Sequence, residues 1–254
     1  MGHSDVETYV EQLRSRGFGS SSVARSMSAI RRFHAFLVDE NLCDHNPTAR
    51  LEALTIERVP PDILSVDEAR RLLESAGGVE PIPLRDRAIL ELLYAAGLRV
   101  SELISLPAQA LNLSARSVSV QGRGARQRLI PLGREAARRL DRYSREGRPH
   151  FAGPDSDSIF FLSVRGRALS RMSVWNIIRA AALKAGIDRA VSPHTLRHSC
   201  ASHLLDGGLD LCSLQQFLGH GNQATTEIYS RPARGDLADV DLADVHRSFH
   251  PRGG

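Results

Sequence analysis

The apolar residues of this chain recur every three or four positions along most of its length, a spacing that predicts amphipathic helices. One such stripe comprises Val23, Met27, Ile30, Phe33, Phe36 and Leu37. The exception is a pair of short alternating segments, SVSVQ and QRLIPL, which are separated by GRGAR and predict a β-hairpin. The chain has neither an alternating strand–helix series nor a glycine-rich phosphate loop, so a nucleotide-binding fold is disfavoured. We therefore expect a mainly α protein with a small antiparallel β-sheet.

The stretch TIERVPPDILS, with Pro60 and Pro61 at its centre, predicts an extended linker between two domains. Residues 1–58 are expected to form a short helical domain, and residues 59–64 the linker. Residues 65–254 are expected to form a larger second domain, which begins with a capping-box pattern and ends with a tail helix from about Asp236 to Phe249.

The basic charge of the chain is carried almost entirely by arginine, since Lys184 is the one lysine among 33 basic residues. A formal net charge of +4 permits a polyanionic partner but does not require one. The 3 cysteines show no CxxC spacing, so neither a disulfide framework nor a zinc knuckle is indicated. No apolar run approaches the roughly 18 residues of a membrane helix, and the N-terminus lacks the apolar core of a secretion signal. These features predict a protein of the reducing cytoplasm.

The stretch HTLRH places two histidines around one arginine, on a helix that Ser192 and Pro193 are expected to begin. His194 and Arg197 are three residues apart and therefore share a helix face. A zinc protease would carry HExxH, but Thr195 stands where the glutamate belongs, so a metal site is disfavoured. An arginine between polar partners near a helix start suits a phosphate oxyanion. The alternative is that these are ordinary hydrogen-bonding side chains of a helix.

Other polar side chains lie at predicted helix ends in the second domain. Arg99 follows the helix-ending Gly97, and Glu102 comes three residues later. His220 stands at a helix end, and Tyr229 lies nine residues further on, inside the next predicted helix. Between these segments, residues 123–148 carry nine arginines against three acidic residues. Such a run indicates either a solvated basic face or a surface that faces DNA.

The order of these motifs resembles that of the tyrosine recombinases, and most of all the bacterial Xer recombinases. The shared segments are GLRVSEL, a hairpin of the form GxGxxxRxxPL, HTLRHSCASHLL, LGH and TTEIYS. The resemblance covers essentially all of residues 62–254 and implies a tyrosine recombinase catalytic domain. Residues 1–58 resemble only the second half of the family's helical, SAM-like DNA-binding domain. We therefore expect either a smaller clamp on DNA or a true start that lies upstream.

The resemblance implies a catalytic role for four residues that would meet at one phosphate. Arg99 and Arg197 would clamp the scissile phosphate. His194 would hydrogen-bond it and assist proton transfer, and His220 would be the second histidine on the same phosphate.

Further positions complete the machinery that the resemblance implies. Tyr229 would attack phosphorus and form a 3′-phosphotyrosine link, and Glu102 would orient the network of arginine and histidine side chains. The family carries a lysine in the hairpin where this chain has Arg123, and arginine is a poor proton donor. The residues expected to contact DNA are Arg31, Arg32, Arg126 and Arg128.

These implications predict a site-specific recombinase that cuts and rejoins duplex DNA without a metal or cofactor. The implied partners are duplex DNA, the other subunits of a homo- or heterotetramer on DNA, and a DNA translocase, with no membrane partner. The implied role is Xer-type resolution of chromosome or plasmid dimers. The alternatives are a mobile-element integrase, a type IB topoisomerase-like enzyme that cleaves without synapsis, and a DNA-binding relative weakened in catalysis through Arg123.

Overall fold

The computed structural model describes residues 3–49, 62–122, 127–154, 156 and 158–219. The chain divides into two compact units, Met1–Pro60 and Pro61–Gly254. Among the described residues, no helix combines the length and the apolar character needed to span a bilayer.

The first unit is built around two helices, α1 (His3–Ser15) and α2 (Ser20–Asp39). Gly17 turns the chain between them with a φ of +78°, a conformation that favours glycine. The side chains of their shared core recur every three to four residues, as the sequence predicts. These are Val6, Val10, Leu13, Val23 and Met27.

The predicted apolar stripe of α2 is buried only in its first half. Val23 and Met27 are buried, whereas Phe33 is 58% exposed and Phe36 is 53% exposed. Because α1 has 13 residues and α2 has 20, the second half of α2 extends past the length of its partner helix. The periodicity therefore predicted the helix, but not the extent of its buried face.

The described part of the second unit consists of helices and one small sheet. Its helices are α3 (Val66–Ser75), α4 (Pro81–Ala95), α5 (Val100–Ile104), α6 (Arg134–Arg142), α7 (Arg171–Lys184), α8 (Pro193–Asp206) and α9 (Leu211–Leu218). After α6 the chain continues into a π-helical turn over Tyr143–Gly147 and a 3-10 turn over Arg148–His150.

Helix α4 lies at the centre of the second unit and packs against α3, α6 and α8. From Leu84 onward its apolar side chains are buried on every face, and Ile89, Leu90 and Leu93 are each 0% exposed. A helix that is apolar all round belongs in the middle of a core. Its buried Glu91 is paired with Arg87 one turn away at 3.0 Å, so the charge is not buried alone. Each fully buried leucine contributes roughly 1.5–3 kcal/mol relative to an exposed one.

The predicted hairpin forms part of a three-stranded antiparallel sheet. Its strands, in spatial order, are β1 (Leu111–Asn112), β2 (Ser117–Gln121) and β3 (Gln127–Pro131). The register pairs Val118 with Ile130 and Val120 with Arg128. The side chains of Val118, Val120 and Ile130 are buried, and the register places Arg128 on the same inner face of the sheet. The architecture confirms the predicted fold class, which is mainly α with one small antiparallel sheet.

Two helix starts form as the sequence predicts. At α3, Ser65 and Glu68 make the two reciprocal bonds of a capping box, at 3.1 and 2.7 Å. At α8, the Ser192 hydroxyl accepts the backbone N–H of Thr195 at 3.1 Å. Because the cap fixes where α8 begins, it also fixes the helix face on which Arg197 lies.

Candidate active site

Arg197 lies in the interior of the second unit, with 6% of its surface exposed. Its guanidinium donates to the backbone carbonyl oxygen of Gly97 and, at 2.7 Å, to that of Leu218. Burial, with a smaller contribution from the positive charge of Arg99, lowers the pKa of Arg197 to about 10. The side chain therefore stays cationic at neutral pH and is held by two segments that are distant in sequence.

Gly97 allows the turn between α4 and α5 to lie against α9. Its φ is +54°, and a Cβ atom at this position would approach the Cδ2 atom of Leu218 to 2.8 Å. Its carbonyl oxygen is one of the two that Arg197 holds. The glycine that was predicted to end a helix thus also brings α4, α8 and α9 together at the site.

Arg99 stands immediately before α5 and is oriented by Glu102. Its backbone N–H and its guanidinium both donate to the Glu102 carboxylate, each at 2.9 Å. Its other terminal nitrogen donates to the carbonyl oxygen of Gly219 at 3.3 Å. The Arg99 side chain is 37% exposed, so it is oriented by the protein and still accessible to a ligand.

The carboxylate of Glu102 is shared by two arginines and is largely buried. Arg128 forms a fork with it, Nη1 to Oε1 at 3.0 Å and Nη2 to Oε2 at 2.9 Å. Burial on its own raises the pKa of Glu102, but the hydrogen bonds and charge of Arg128, together with the donors of Arg99, outweigh burial and lower the pKa. Among the described residues, its hydrogen-bond partners are these two arginines and include no histidine. Glu102 therefore orients arginine as predicted, but not a described histidine.

Three guanidinium groups, those of Arg99, Arg128 and Arg197, converge on the C-terminal turn of α9. The last carbonyl oxygens of a helix lack partners within the helix and carry partial negative charge, so they attract cations. The acceptors are the consecutive carbonyl oxygens of Phe217, Leu218 and Gly219. The end of α9 thus gathers arginines from three separate parts of the sequence.

The two histidines of HTLRH lie on either side of Arg197. His194 is exposed on the first turn of α8, one turn before Arg197. His198 is partly buried, and its pKa is lowered by burial first and then by the nearby charges of His194 and Arg197. The lowered pKa favours the neutral form of His198, whereas His194 faces solvent.

The arrangement is suited to binding an anion. Arg99 is accessible, and its positive charge lowers the pKa of the nearby Arg197, which stays cationic. His194 lies on the same helix face as Arg197. Arginines that are already held in place can stabilise charge that develops on phosphate oxygens without reorganising. Within the described ranges, no group of three or more His, Cys, Asp or Glu side chains is arranged to hold a metal ion.

Arg128 is not placed as predicted, because its guanidinium is turned away from the outer surface of the hairpin. Its side chain is 11% exposed and is engaged with Glu102 and the carbonyl oxygen of Phe217. The physical reason is the two-residue alternation of β3: Arg128 lies two residues before the buried Ile130 and shares its inward face. The prediction assigned all arginines of the hairpin to one surface and did not take into account the alternation of inward and outward side chains along β3.

The other predicted DNA contacts among the described residues are Arg31 and Arg32 on α2. Arg32 is exposed and Arg31 is partly buried, so both stay predictions. The predicted residues outside the described ranges are Arg123, Arg126, His220 and Tyr229, together with the tail helix from Asp236 to Phe249. His220 directly follows Gly219, whose carbonyl oxygen accepts a bond from Arg99.

Comparison with known protein families gives two adjacent matches. The model of the phage integrase family matches residues 62–235, and the model of the N-terminal SAM-like domain of phage integrases matches residues 1–41. The first match alone spans more than half of the chain and includes all the arginines that converge on α9.

Comparison with individual proteins points the same way. The chain is 41% identical to tyrosine recombinase XerD of Chlorobaculum tepidum over 252 residues, which cover 98% of this chain and 81% of that protein. It is 40% identical to tyrosine recombinase XerD of Halalkalibacterium halodurans over 244 residues, which cover 96% of this chain and 80% of that protein. A crystal structure of XerA recombinase superimposes with a TM-score of 0.61 at 28% identity, covering 92% of this chain and 80% of that one.

Proposed function

Because the chain belongs to the phage integrase family and is a Xer-type tyrosine recombinase acting on DNA, we propose that it cuts and rejoins duplex DNA through a 3′-phosphotyrosine intermediate. The observation that carries the proposal is that two arginines with different environments lie near each other. Arg197 is buried and cationic, and Arg99 is accessible and oriented by Glu102. Attack on a phosphodiester accumulates negative charge on its nonbridging oxygens, which two such arginines can stabilise.

The roles of Arg99, Arg197 and His194 are proposed from the charges and positions of their side chains, and those of His220 and Tyr229 from the resemblance to the tyrosine recombinases. Arg99 and Arg197 bind the nonbridging oxygens of the scissile phosphate, and the exposed His194 donates a hydrogen bond to it. His220 contacts the same phosphate, and Tyr229 supplies the attacking hydroxyl oxygen. The tyrosine hydroxyl gives up its proton as its oxygen bonds to phosphorus, the bond from phosphorus to the 5′-oxygen breaks, and that oxygen takes up a proton as it leaves. The covalent link conserves the energy of the broken bond, so rejoining needs no ATP.

The finer role of the enzyme is proposed from its relatives. We propose that four subunits assemble on two DNA sites and exchange strands in pairs, and that a DNA translocase activates them. Resolution of chromosome or plasmid dimers is the proposed outcome. Because that substrate is the chromosome or a plasmid, the enzyme is proposed to act in the cytoplasm.

The proposal is tested with a duplex that traps the covalent intermediate. A binding site is first selected from a pool of randomised duplexes, and a nick is then placed so that cleavage releases a short fragment and prevents rejoining. We expect a protein–DNA adduct that survives denaturation and requires the selected site. Stable binding without any adduct would support the alternative of a DNA-binding relative weakened in catalysis. A two-site exchange assay then separates a recombinase from an enzyme that only relaxes DNA.

Binding of duplex DNA is expected to weaken steeply as the salt concentration rises. Arginine contacts to phosphates release counterions, and six or more of them correspond to a loss on the order of a thousandfold between roughly 50 and 200 mM salt. Fluorescence anisotropy with a labelled duplex at four salt concentrations measures the slope. A dissociation constant that hardly changes with salt would contradict binding through phosphates.

Arg123 is expected to slow cleavage, because arginine stays charged and is a poor proton donor. General acid catalysis is typically worth about 10²–10⁴-fold, so Arg123→Lys should accelerate cleavage of an ordinary phosphodiester within that range. A substrate with a 5′-bridging sulfur, whose leaving group needs no proton, is the matched control and should remove most of the difference. If Arg123→Lys is no faster on the ordinary substrate, either Arg123 does not occupy the position of the family's lysine or another group supplies the proton.

A further inference from the structure

The guanidinium of Arg128 joins three elements of the second unit that are far apart in sequence. It lies on β3, forms a fork with Glu102 on α5, and donates through Nε to the carbonyl oxygen of Phe217 at the end of α9 at 3.0 Å. Its side chain is 11% exposed, compared with 37% for Arg99. Each of its three nitrogen atoms is thus already bonded to the protein.

The Glu102 carboxylate is fully occupied by this arrangement. An ionised carboxylate offers about four acceptor positions. Arg128 fills two of them through its fork, and the guanidinium and backbone N–H of Arg99 fill the other two. The orientation of Arg99 therefore depends on where Arg128 holds the carboxylate.

Gly219 also leaves space for the side chain of Arg128. Its φ is +65°, and a Cβ atom at this position would lie 2.8 Å from the Nη1 atom of Arg128. The glycine of the LGH motif therefore ends α9 and also leaves room for the guanidinium that holds the end of the helix. The carbonyl oxygens of residues 217–219 are then spaced so that Arg128, Arg197 and Arg99 each reach one of them.

We propose that Arg128 is a positioning residue of the recombinase: it fixes the Glu102 carboxylate that orients Arg99, and it ties that carboxylate to the end of α9. It acts through Arg99 and does not itself contact DNA. The inference rests on the proposed cleavage reaction, and it assigns Arg128 a role separate from that of the other hairpin arginines.

Single-turnover cleavage of the trapping duplex by Arg128→Met is the first test. Loss of charged hydrogen bonds to one carboxylate corresponds to a slowing on the order of 10- to 100-fold. Binding of the duplex should stay close to that of the wild type. Arg138→Met is the matched control, because Arg138 forms the same kind of fork with Glu135, at 2.9 and 2.8 Å, on the exposed surface of α6. It should cleave at the wild-type rate.

The pH dependence of cleavage distinguishes positioning from a general loss of structure. Within the part of the chain that the structure describes, the charged groups that face Glu102 are Arg99, Arg128 and Arg197. Without Arg128, the pKa of Glu102 should rise above its value in the wild type, because burial is then opposed only by Arg99 and the more distant Arg197. The carboxylate should therefore become protonated, and release Arg99, at a higher pH. The rate of Arg128→Met should therefore fall at a higher pH than the wild-type rate. Adding Glu102→Gln should remove this acidic limb, because no carboxylate is left to titrate.

The outcomes separate the inference from the function on which it rests. If the wild type forms no adduct, the proposed cleavage reaction fails. If the wild type cleaves and Arg128→Met binds weakly but cleaves at the wild-type rate when saturated with protein, Arg128 is a DNA contact and the positioning role is overturned. If Arg128→Met does not fold, Arg128→Lys is tested in its place, because lysine keeps the positive charge but cannot form two parallel hydrogen bonds to the carboxylate. Slowed cleavage at unchanged binding supports positioning, and a wild-type rate overturns it.

Discussion

Tyr229→Phe is expected to abolish covalent attachment to the trapping duplex while leaving its affinity for that duplex essentially unchanged. The substitution removes one oxygen atom and keeps the aromatic ring, so only the proposed nucleophile is lost. Adduct formation is measured on denaturing gels, and affinity is measured by anisotropy under the same conditions.

The matched control for this substitution is Tyr94→Phe. Tyr94 is buried in α4, and its hydroxyl makes a bond of 2.8 Å to Nδ1 of His203. Losing that bond should cost roughly 0.5–1.5 kcal/mol of stability but leave the adduct intact. Continued formation of the adduct by Tyr229→Phe would mean that another residue is the nucleophile.

Arg197→Lys is expected to reduce the cleavage rate by about 10²–10³-fold, the range for loss of one preorganised donor to an oxyanion. Lysine keeps the positive charge, but a single ammonium cannot reproduce the fork that holds the carbonyl oxygens of Gly97 and Leu218 and that is proposed to bind the phosphate. The loss should appear in the rate with saturating protein, and less in affinity, because the charge on the phosphate grows during the reaction.

Arg148→Lys is the control for Arg197→Lys, since Arg148 also donates to two backbone carbonyl oxygens. Its bonds go to Phe160 at 3.1 Å and Ile159 at 2.9 Å, away from the end of α9. We expect a lower melting temperature and a wild-type cleavage rate. Equal slowing by the two lysine variants would show that the Arg197 effect comes from loss of backbone contacts, and not from loss of a phosphate contact.

Local signals in the sequence predicted the local structure well. The capping box at Ser65 and Glu68 and the start of α8 at Ser192 depend on neighbouring residues only, and both form as expected. The hairpin also forms, because its alternation and turn residues are contiguous. In α2 the spacing of the apolar residues predicted the helix. Burial of Phe33 and Phe36, however, would have needed a partner helix longer than α1.

The position of Arg128 could have been predicted from the sequence. It has the same parity as Ile130 on β3, and parity alone turns it inward. Because arginine is frequent throughout the hairpin, the shared parity of Arg128 and Ile130 is easily overlooked. An inward arginine also requires an acidic partner, and Glu102 is the carboxylate that the same motif analysis had already singled out.

The convergence of three arginines on α9 could not have been predicted from spacing. It joins residues as far as 120 positions apart, namely Arg99 and Gly219, through backbone carbonyl oxygens that carry no sequence signature. Gly97 and Gly219 are recognisable as helix-ending glycines, but their second role, which is to permit close approach of other segments, depends on tertiary packing. The sequence indicated which residues belong to the site, and the packing decides how they are held.

The assignment of Tyr229 as the nucleophile requires that its oxygen become covalently joined to a 3′-phosphate of DNA, which mapping of the trapped adduct can show. The wild-type adduct is digested with protease and nuclease, and the peptide that carries a nucleotide is sequenced by mass spectrometry. We expect one modified peptide, with the nucleotide on Tyr229 and a free 5′-hydroxyl on the released DNA strand. A nucleotide on any other residue, or a 5′-phosphate linkage to the protein, would contradict it.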